Sequence, residues 1–145
     1  MRAVIQRVRK TELRVDGTLI SEIPFGLAVY LGIAPEDTLE NAAAMVKKIA
    51  AMRIFEDEQG KMNLSVRDVG GEVLLISQFT LYGDCRKGNR PSFTGAARPE
   101  HAQPLYEQTA QLLREQGVRV STGVFGADMK IQQYNDGPVT IVYEC

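Results

Sequence analysis

The 145-residue sequence predicts one α+β domain, strand-rich, with two main helices packed on a sheet or barrel-like core. Three observations carry that expectation. Alternating or wholly apolar runs of strand length recur from residue 1 to residue 33 and again after residue 118. Only two stretches, starting near Asp37 and Pro99, space their apolar residues for a helix. No repeat, low-complexity tract or linker divides the chain, so a single domain is expected over 1–145.

Met1 to Lys10 mixes Val4, Ile5 and Val8 with basic residues and reads as a strand. Leu13 and Val15 alternate with Glu12 and Arg14, and Asp16-Gly17 then separates them from Thr18–Ile23. An Asp-Gly between alternating runs signals a hairpin, because both central residues of a type I′ turn need positive φ. Leu27 to Ile33 is apolar on both faces, as a central strand should be. A helix follows, with Asp37 as its expected cap and Glu40 reaching back, and with Leu39, Ala42, Val46 and Ile49 at helical spacing. Arg53-Ile54-Phe55 reads as a short strand before the polar turn Glu56 to Lys61, and Val73 to Leu81 as a longer β run. Gly83 to Pro99 looks like a loop. The second helix opens at Pro99, buries Ala102, Leu105, Tyr106, Thr109, Leu112 and Leu113, and stops before Gly117. Pro104 fits only inside its first turn. Strands at Val118–Ser121, Val124–Tyr134 and Val139–Glu144 finish the chain, the last two joined by an Asn135-Asp136-Gly137-Pro138 turn.

Composition removes much chemistry. With 17 basic against 18 acidic residues the net charge is −1, and the longest apolar run, 25–34, is half of what a membrane helix needs. The basic N-terminus lacks the apolar stretch of a secretory signal, and Cys85 and Cys145 form no CxxC pair, so a cytoplasmic protein without membrane contact is expected. His101 is the only imidazole, so no multi-histidine metal site can form within one chain, and the position near a helix start suits a surface residue. There is no GxSxG or GxGxxG, and Gly83 to Gly88 is followed by Asn89-Arg90 where a phosphate loop needs Lys-Ser/Thr. The expectation is chemistry without metal, cofactor or histidine base. Cys85 beside Arg86 and Lys87 is read as an incidental thiol. Charge is uneven: residues 1–14 carry five basic residues against Glu12, and 83–99 carry Arg86, Lys87, Arg90 and Arg98 against Asp84. These are ordinary surface charges or a seat for a few phosphates.

Two segments hold the chemistry. Ser77-Gln78-Phe79-Thr80-Leu81 ends an apolar run, where backbone N–H groups leave the ladder and can face a ligand. Read alone, it is better taken as a strand that turns amphipathic as it surfaces, its Ser and Thr satisfying their own backbone. Asn135-Asp136-Gly137-Pro138-Val139-Thr140 is a turn on any reading. Were Gly137–Pro138 cis, its two carbonyl oxygens could point the same way, although X–Pro bonds are cis in only about 5–6% of cases.

Together the segments resemble the two signature motifs of the D-aminoacyl-tRNA deacylases, Ser-Gln-Phe-Thr-Leu and Asn-X-Gly-Pro-Val-Thr. Met1 to Val8 is similar to that family's first strand, Phe125-Gly126-Ala127-Asp128-Met129 to the segment before its last strands, and the order matches over 1–145. The resemblance implies the fold of that family and hydrolysis of the ester joining a D-amino acid to the terminal adenosine of tRNA. It implies a homodimer with the active site at the subunit interface, and no cofactor. Gly137 and Pro138 would then form a cross-subunit chirality filter, their carbonyls accepting from the substrate ammonium and leaving no room for an L side chain. Glycine escapes such a filter, which makes glycyl-tRNA a second expected substrate. By the same likeness Arg7 orients the motif through charge-assisted bonds to backbone oxygens, and Phe125 and Met129 line the pocket near the adenosine.

Ser77, Gln78, Phe79 and Thr80 are the catalytic candidates, the N–H groups of Phe79 and Thr80 serving as oxyanion hole. An aminoacyl ester is already activated, so the substrate's ribose 2′-hydroxyl can help to position the water. The alternative makes Thr80 Oγ a nucleophile, which needs an adjacent base that the motif does not offer. Arg86, Lys87 and Arg90 are the expected tRNA phosphate contacts. A nucleic-acid-binding module of the same fold without turnover is the rival reading. A paralogous editor of L-aminoacyl-tRNA is a third, disfavoured by Phe79-Thr80.

Overall fold

The computed structural model describes residues 1–145. Its spine is β1 (Arg2–Val15), along one edge of which the chain folds back as β2 (Thr18–Ile23) and β3 (Gly26–Gly32). The reversal is the expected Asp16-Gly17 turn, with φ of 48° and 79° at its two residues. From β3 the chain crosses through α1 (Leu39–Ala51) and the short hairpin β4 (Phe55–Glu56) and β5 (Met62–Leu64) to β6 (Glu72–Ser77), parallel to β3. A second crossover, α2 (Pro99–Glu115), leads to β7 (Arg119–Thr122), parallel to β6. Last comes β8 (Met129–Glu144), antiparallel to β1 on its other edge.

Sheet order is β2-β1-β3-β6-β7 with β8 on the far side of β1. Ser21 Oγ of β2 donates to the Thr122 carbonyl of β7 at 2.7 Å, so the sheet curls until it nearly closes. The central strands are apolar on both faces for this reason. Leu27, Val29, Leu31, Val73 and Leu75 face α1 and α2, while Ala28, Leu74 and Ile76 join Val8, Leu13 and Ile23 in the inner core. At about 25 cal/mol per Å² of buried apolar surface, the larger of these two clusters is the main source of stability. No helix is long and apolar enough to cross a membrane.

Four local expectations need correction. The cap of α1 is Thr38, whose N–H is bonded by Asn41 Oδ1 at 2.9 Å, in place of Asp37 and Glu40. Asp37 is buried instead, accepting from the Met1 ammonium and from Ala34 N–H, both at 2.6 Å. The run Val73–Leu81 stays extended only to Ser77, then tightens into a 3-10 turn, Phe79–Tyr82. The short strand after Arg53 is Phe55–Glu56. Pro104 lies in the second turn of α2, where its missing N–H leaves an exposed segment to be served by solvent.

The largest departure is at the C-terminus. Val124–Ala127 precedes the strand, and Met129–Glu144 is one strand with no hairpin at 135–138. Gln6 pairs with Thr140 and Val8 with Asn135, so Arg7 alone stands opposite Asp136–Val139. The predicted turn is therefore a large bulge held against β1.

Candidate active site

Residue by residue, the first segment is fixed by its neighbours. β6 ends where Gln78 N–H reaches the Leu31 carbonyl of β3 at 2.8 Å. The chain then turns, and Leu81 N–H closes onto Gln78 O at 3.3 Å. Gly32 permits this approach, because a Cβ there would sit 3.1 Å from both Gln78 O and the Tyr82 ring. Arg2 fastens the far end, its Nη1 donating to Leu81 O at 2.6 Å and its guanidinium lying 4.9 Å over the Tyr82 ring. Burial, with Asp37 nearby, pushes the Tyr82 phenol up to about 12.

In a 3-10 helix the first donor with an internal acceptor is the third residue. Phe79 and Thr80 come before it, so their N–H groups are unclaimed by the turn. Thr80 Oγ1 accepts from Gln78 Nε2 and has no basic group bonded to it.

Beside this turn lies a cavity of about 850 Å³. Leu31, Ile33, Ser77, Gln78 and Phe79 form the wall at the carboxyl ends of the parallel strands, where open parallel sheets place their ligands. Phe93 to Ala102, leading into α2, make a second wall, and Phe125 to Met129 a third. The walls brace each other. Phe79 meets Phe93 edge-on at 5.2 Å between centroids, and Phe125 leans on Tyr106 of α2 at 6.0 Å. Tyr106 donates to the Leu75 carbonyl at 2.7 Å, and burial raises its phenol to about 12. Phe79 is 56% exposed despite these contacts, an apolar ring left at the cavity mouth.

The second segment stands apart. Arg7, 7% exposed, reaches under the β8 bulge, with Nε donating to Asp136 O at 3.1 Å and Nη1 to Ile54 O at 2.8 Å. Its guanidinium also pairs with the Asp136 carboxylate at 3.3 Å, and Arg9 pairs with the other oxygen of that group at 3.2 Å. Gly137 has φ of 127°, and a Cβ on it would meet Val139 N at 2.8 Å, so glycine is required. The Gly137–Pro138 peptide is cis, and both residues are exposed.

Neither lines the cavity of its own chain. Eight strand positions separate Gly137 from Met129, roughly 25 Å of extended backbone. Thus Ser77, Gln78, Phe79, Phe125 and Met129 come together in the cavity, with Thr80 beside it, while Arg7, Gly137 and Pro138 assemble on a separate surface.

The two segments thus occupy separate surfaces of one chain, one at the cavity and one over Arg7. The profile of the D-Tyr-tRNA(Tyr) deacylase family matches residues 4–144. The chain belongs to the D-Tyr-tRNA(Tyr) deacylase family. The D-aminoacyl-tRNA deacylase of Thermus aquaticus is 57% identical over 99% of this chain and 95% of its own length. That of Geobacillus sp. (strain WCH70) is 54% identical with the same coverage. Among solved structures, the c-Myc DNA unwinding element binding protein has a TM-score of 0.94 at 44% identity, over 100% of this chain and 99% of its own. A probable eukaryotic D-amino acid tRNA deacylase has a TM-score of 0.84 at 18% identity, over 98% and 97%, a likeness of fold alone.

The remaining candidates of this family member lie elsewhere. Arg86, Lys87 and Arg90 are exposed on the loop before α2. Arg86 is tied to Asp84 at 2.7 Å and holds that carboxyl down at about 2. His101 does not line the cavity, and its Nε2 lies 2.9 Å from the Asp37 carbonyl. No group of His, Cys, Asp or Glu is arranged to hold a metal ion. Sequence reasoning missed Gly32, Arg2 and Phe93 as props of the first segment. All three act across the sheet or along a loop, with no local pattern to mark them.

Proposed function

We propose that this D-aminoacyl-tRNA deacylase works as a homodimer, each cavity being completed by Gly137 and Pro138 of the partner. The observation that carries the reading is the pair of unclaimed N–H groups at Phe79 and Thr80, beside a cavity with no histidine. An ester carbonyl seated there gains an oxyanion hole, each such donor being worth roughly 3 kcal/mol at the transition state. Phe125 and Met129 receive the terminal adenosine, and Ser77 and Gln78 supply polar contacts to it or to the attacking water.

Chirality is sensed by main-chain carbonyls of Gly137 and Pro138, which accept from the substrate ammonium only when the side chain points as in a D-residue. Their exposure, and the Arg7 fork beneath them, support that role. Glycyl-tRNA has no side chain to reject and is a second substrate. The ribose 2′-hydroxyl positions the water, since Thr80 Oγ1 has no base beside it. Arg86, Lys87 and Arg90 contact tRNA phosphates, and the enzyme acts in the cytoplasm.

A second reading, nucleic-acid binding without turnover, draws on the likeness to the c-Myc DNA unwinding element binding protein. One assay tests both. D-tyrosyl-, L-tyrosyl- and glycyl-tRNA are offered to the wild type and to Thr80→Ala. Cleavage of the first and third, retained in the variant, is expected. Binding without cleavage establishes the second reading. Equal cleavage of the D and L esters removes the filter, and loss of activity in Thr80→Ala with tRNA still bound points to the hydroxyl as nucleophile.

A further inference from the structure

A bulge that sets four residues against one has few ladder bonds of its own, so its orientation has to come from side chains at its edges. Gln6 and Arg7 are adjacent on β1 and therefore point to opposite faces. Arg7 serves the buried face. On the opposite face of β1 lies a second set of bonds, partly buried at Tyr30 and exposed at Asn135 and Thr140, made entirely by neutral groups. Tyr30 OH of β3 donates to Gln133 Oε1 at 2.9 Å. Gln133 Nε2 donates to Gln6 Oε1 and to Asn135 Oδ1, each at 2.7 Å. Gln6 Nε2 in turn donates to Thr140 Oγ1 at 3.3 Å. Asn135 and Thr140 are the residues at which β8 leaves and rejoins the β1 register.

From this juxtaposition we infer that Gln133, oriented by Tyr30, is a positioning residue for the Gly137–Pro138 segment. It ties the two feet of the bulge to β1 and β3. Both hydrogens of its amide are used, each on an acceptor that leads to one foot, while its oxygen is held by the Tyr30 hydroxyl. Tyr30 is half-buried, and burial raises its phenol above the ordinary range, so it remains a donor at neutral pH. Met129, Ile131, Gln133 and Asn135 also alternate onto one face of β8. Met129 and Ile131 line the cavity, so the same strand face runs from the cavity wall to the bulge. This role rests on the proposed chirality filter.

Gln133→Leu removes the node, Gln133→Glu keeps only the acceptor for Tyr30, and Tyr30→Phe removes the orienting donor. Each is compared with wild type in kcat/KM for D-tyrosyl- and L-tyrosyl-tRNA, in thermal unfolding, and in amide hydrogen exchange over residues 135–140. The expected result is a fall of about tenfold in the D/L ratio for both Gln133 variants, a smaller fall for Tyr30→Phe, and faster exchange in the 135–140 segment. An unchanged ratio, with or without a lower Tm, overturns the inference, since a merely structural amide moves Tm and leaves selectivity alone. Should Gln133→Leu not fold, Tyr30→Phe carries the test. Gly137→Ala separates the two claims. If it also leaves the ratio unchanged, the filter reading has failed. If it collapses the ratio while the Gln133 variants do not, only the positioning role is wrong.

Discussion

Arg7→Lys tests whether the motif is held by a fork or merely by a charge. The guanidinium spans two main-chain acceptors on different elements, Asp136 O of β8 and Ile54 O before β4. A lysine ammonium keeps the charge but is a single point and cannot serve both. One charge-assisted bond to a buried carbonyl is lost, about 2 kcal/mol. The Asp136 carboxylate is not stranded, because Arg9 remains on it at 3.2 Å, and the 3.8 Å pair with the exposed Glu56 contributes little. For a chain of this size the loss corresponds to roughly 4–8 °C in Tm. Catalysis should suffer more than stability. A shift of about 1 Å in a positioning segment costs on the order of 10²-fold, so kcat/KM for D-tyrosyl-tRNA is expected to fall by about that factor. The assay is deacylation of D- and L-tyrosyl-tRNA beside thermal unfolding. A variant that loses the stability yet keeps both the D-rate and the D/L ratio would refute the argument, leaving Arg7 a strut.

Other perturbations follow from the same geometry. Gly32→Ala places a methyl 3.1 Å from Gln78 O and the Tyr82 ring, and should lower stability by about 1–3 kcal/mol by urea unfolding while weakening deacylation through displacement of the 3-10 turn. Tyr82 and Tyr106, both raised to about 12, should stay protonated at pH 11 in the folded protein, so tyrosinate absorbance there falls short of that of the unfolded chain. Because the folded values lie above the ordinary 10, that stabilisation is complete below pH 10 and is lost as the pH climbs towards 12. Charge reversal at Arg86, Lys87 and Arg90 together should weaken tRNA binding and flatten its salt dependence by about 2–3 in log–log slope, measured by filter binding. An unchanged slope would place the phosphates elsewhere.

What the sequence disclosed depended on range. The Asp16-Gly17 turn, the Pro99 start and the Gly117 stop are decided by dihedral preferences within a few residues, and the structure has them where they were expected. The two-faced apolar strands announced a core on both sides of the sheet. Misreadings arose where a distant partner intervenes. Asp37 is as good a helix cap as Thr38 in isolation, but its carboxylate is claimed by the Met1 ammonium and by Ala34. Asn135-Asp136-Gly137-Pro138 has the composition of a hairpin turn. Only the pairing of both flanks with β1, 127 to 134 residues away, converts it to a bulge. The two candidate segments themselves were legible as motifs. The residues packed against or bonded to them, Gly32, Arg2, Phe93 and Gln133, were not, since each reaches them across the sheet or along a loop.

Both motifs sit where backbone leaves a ladder, at the end of β6 and at the bulge of β8. Those are the places where a compact fold has main-chain donors and acceptors to spare, since elsewhere the sheet consumes them. A chain with one histidine, bonded to a carbonyl outside the cavity, has few reactive side chains to work with. On the proposed reading its polar instruments are peptide groups, and its side chains act by aiming them. Substitutions of the aiming residues should then change rate and selectivity by graded factors rather than abolish chemistry. Single-residue inactivation is reserved for positions where the backbone itself cannot adopt its path, Gly137 foremost, with its φ of 127°. A side chain whose removal alone eliminates turnover, with the fold and tRNA binding intact, would contradict that division.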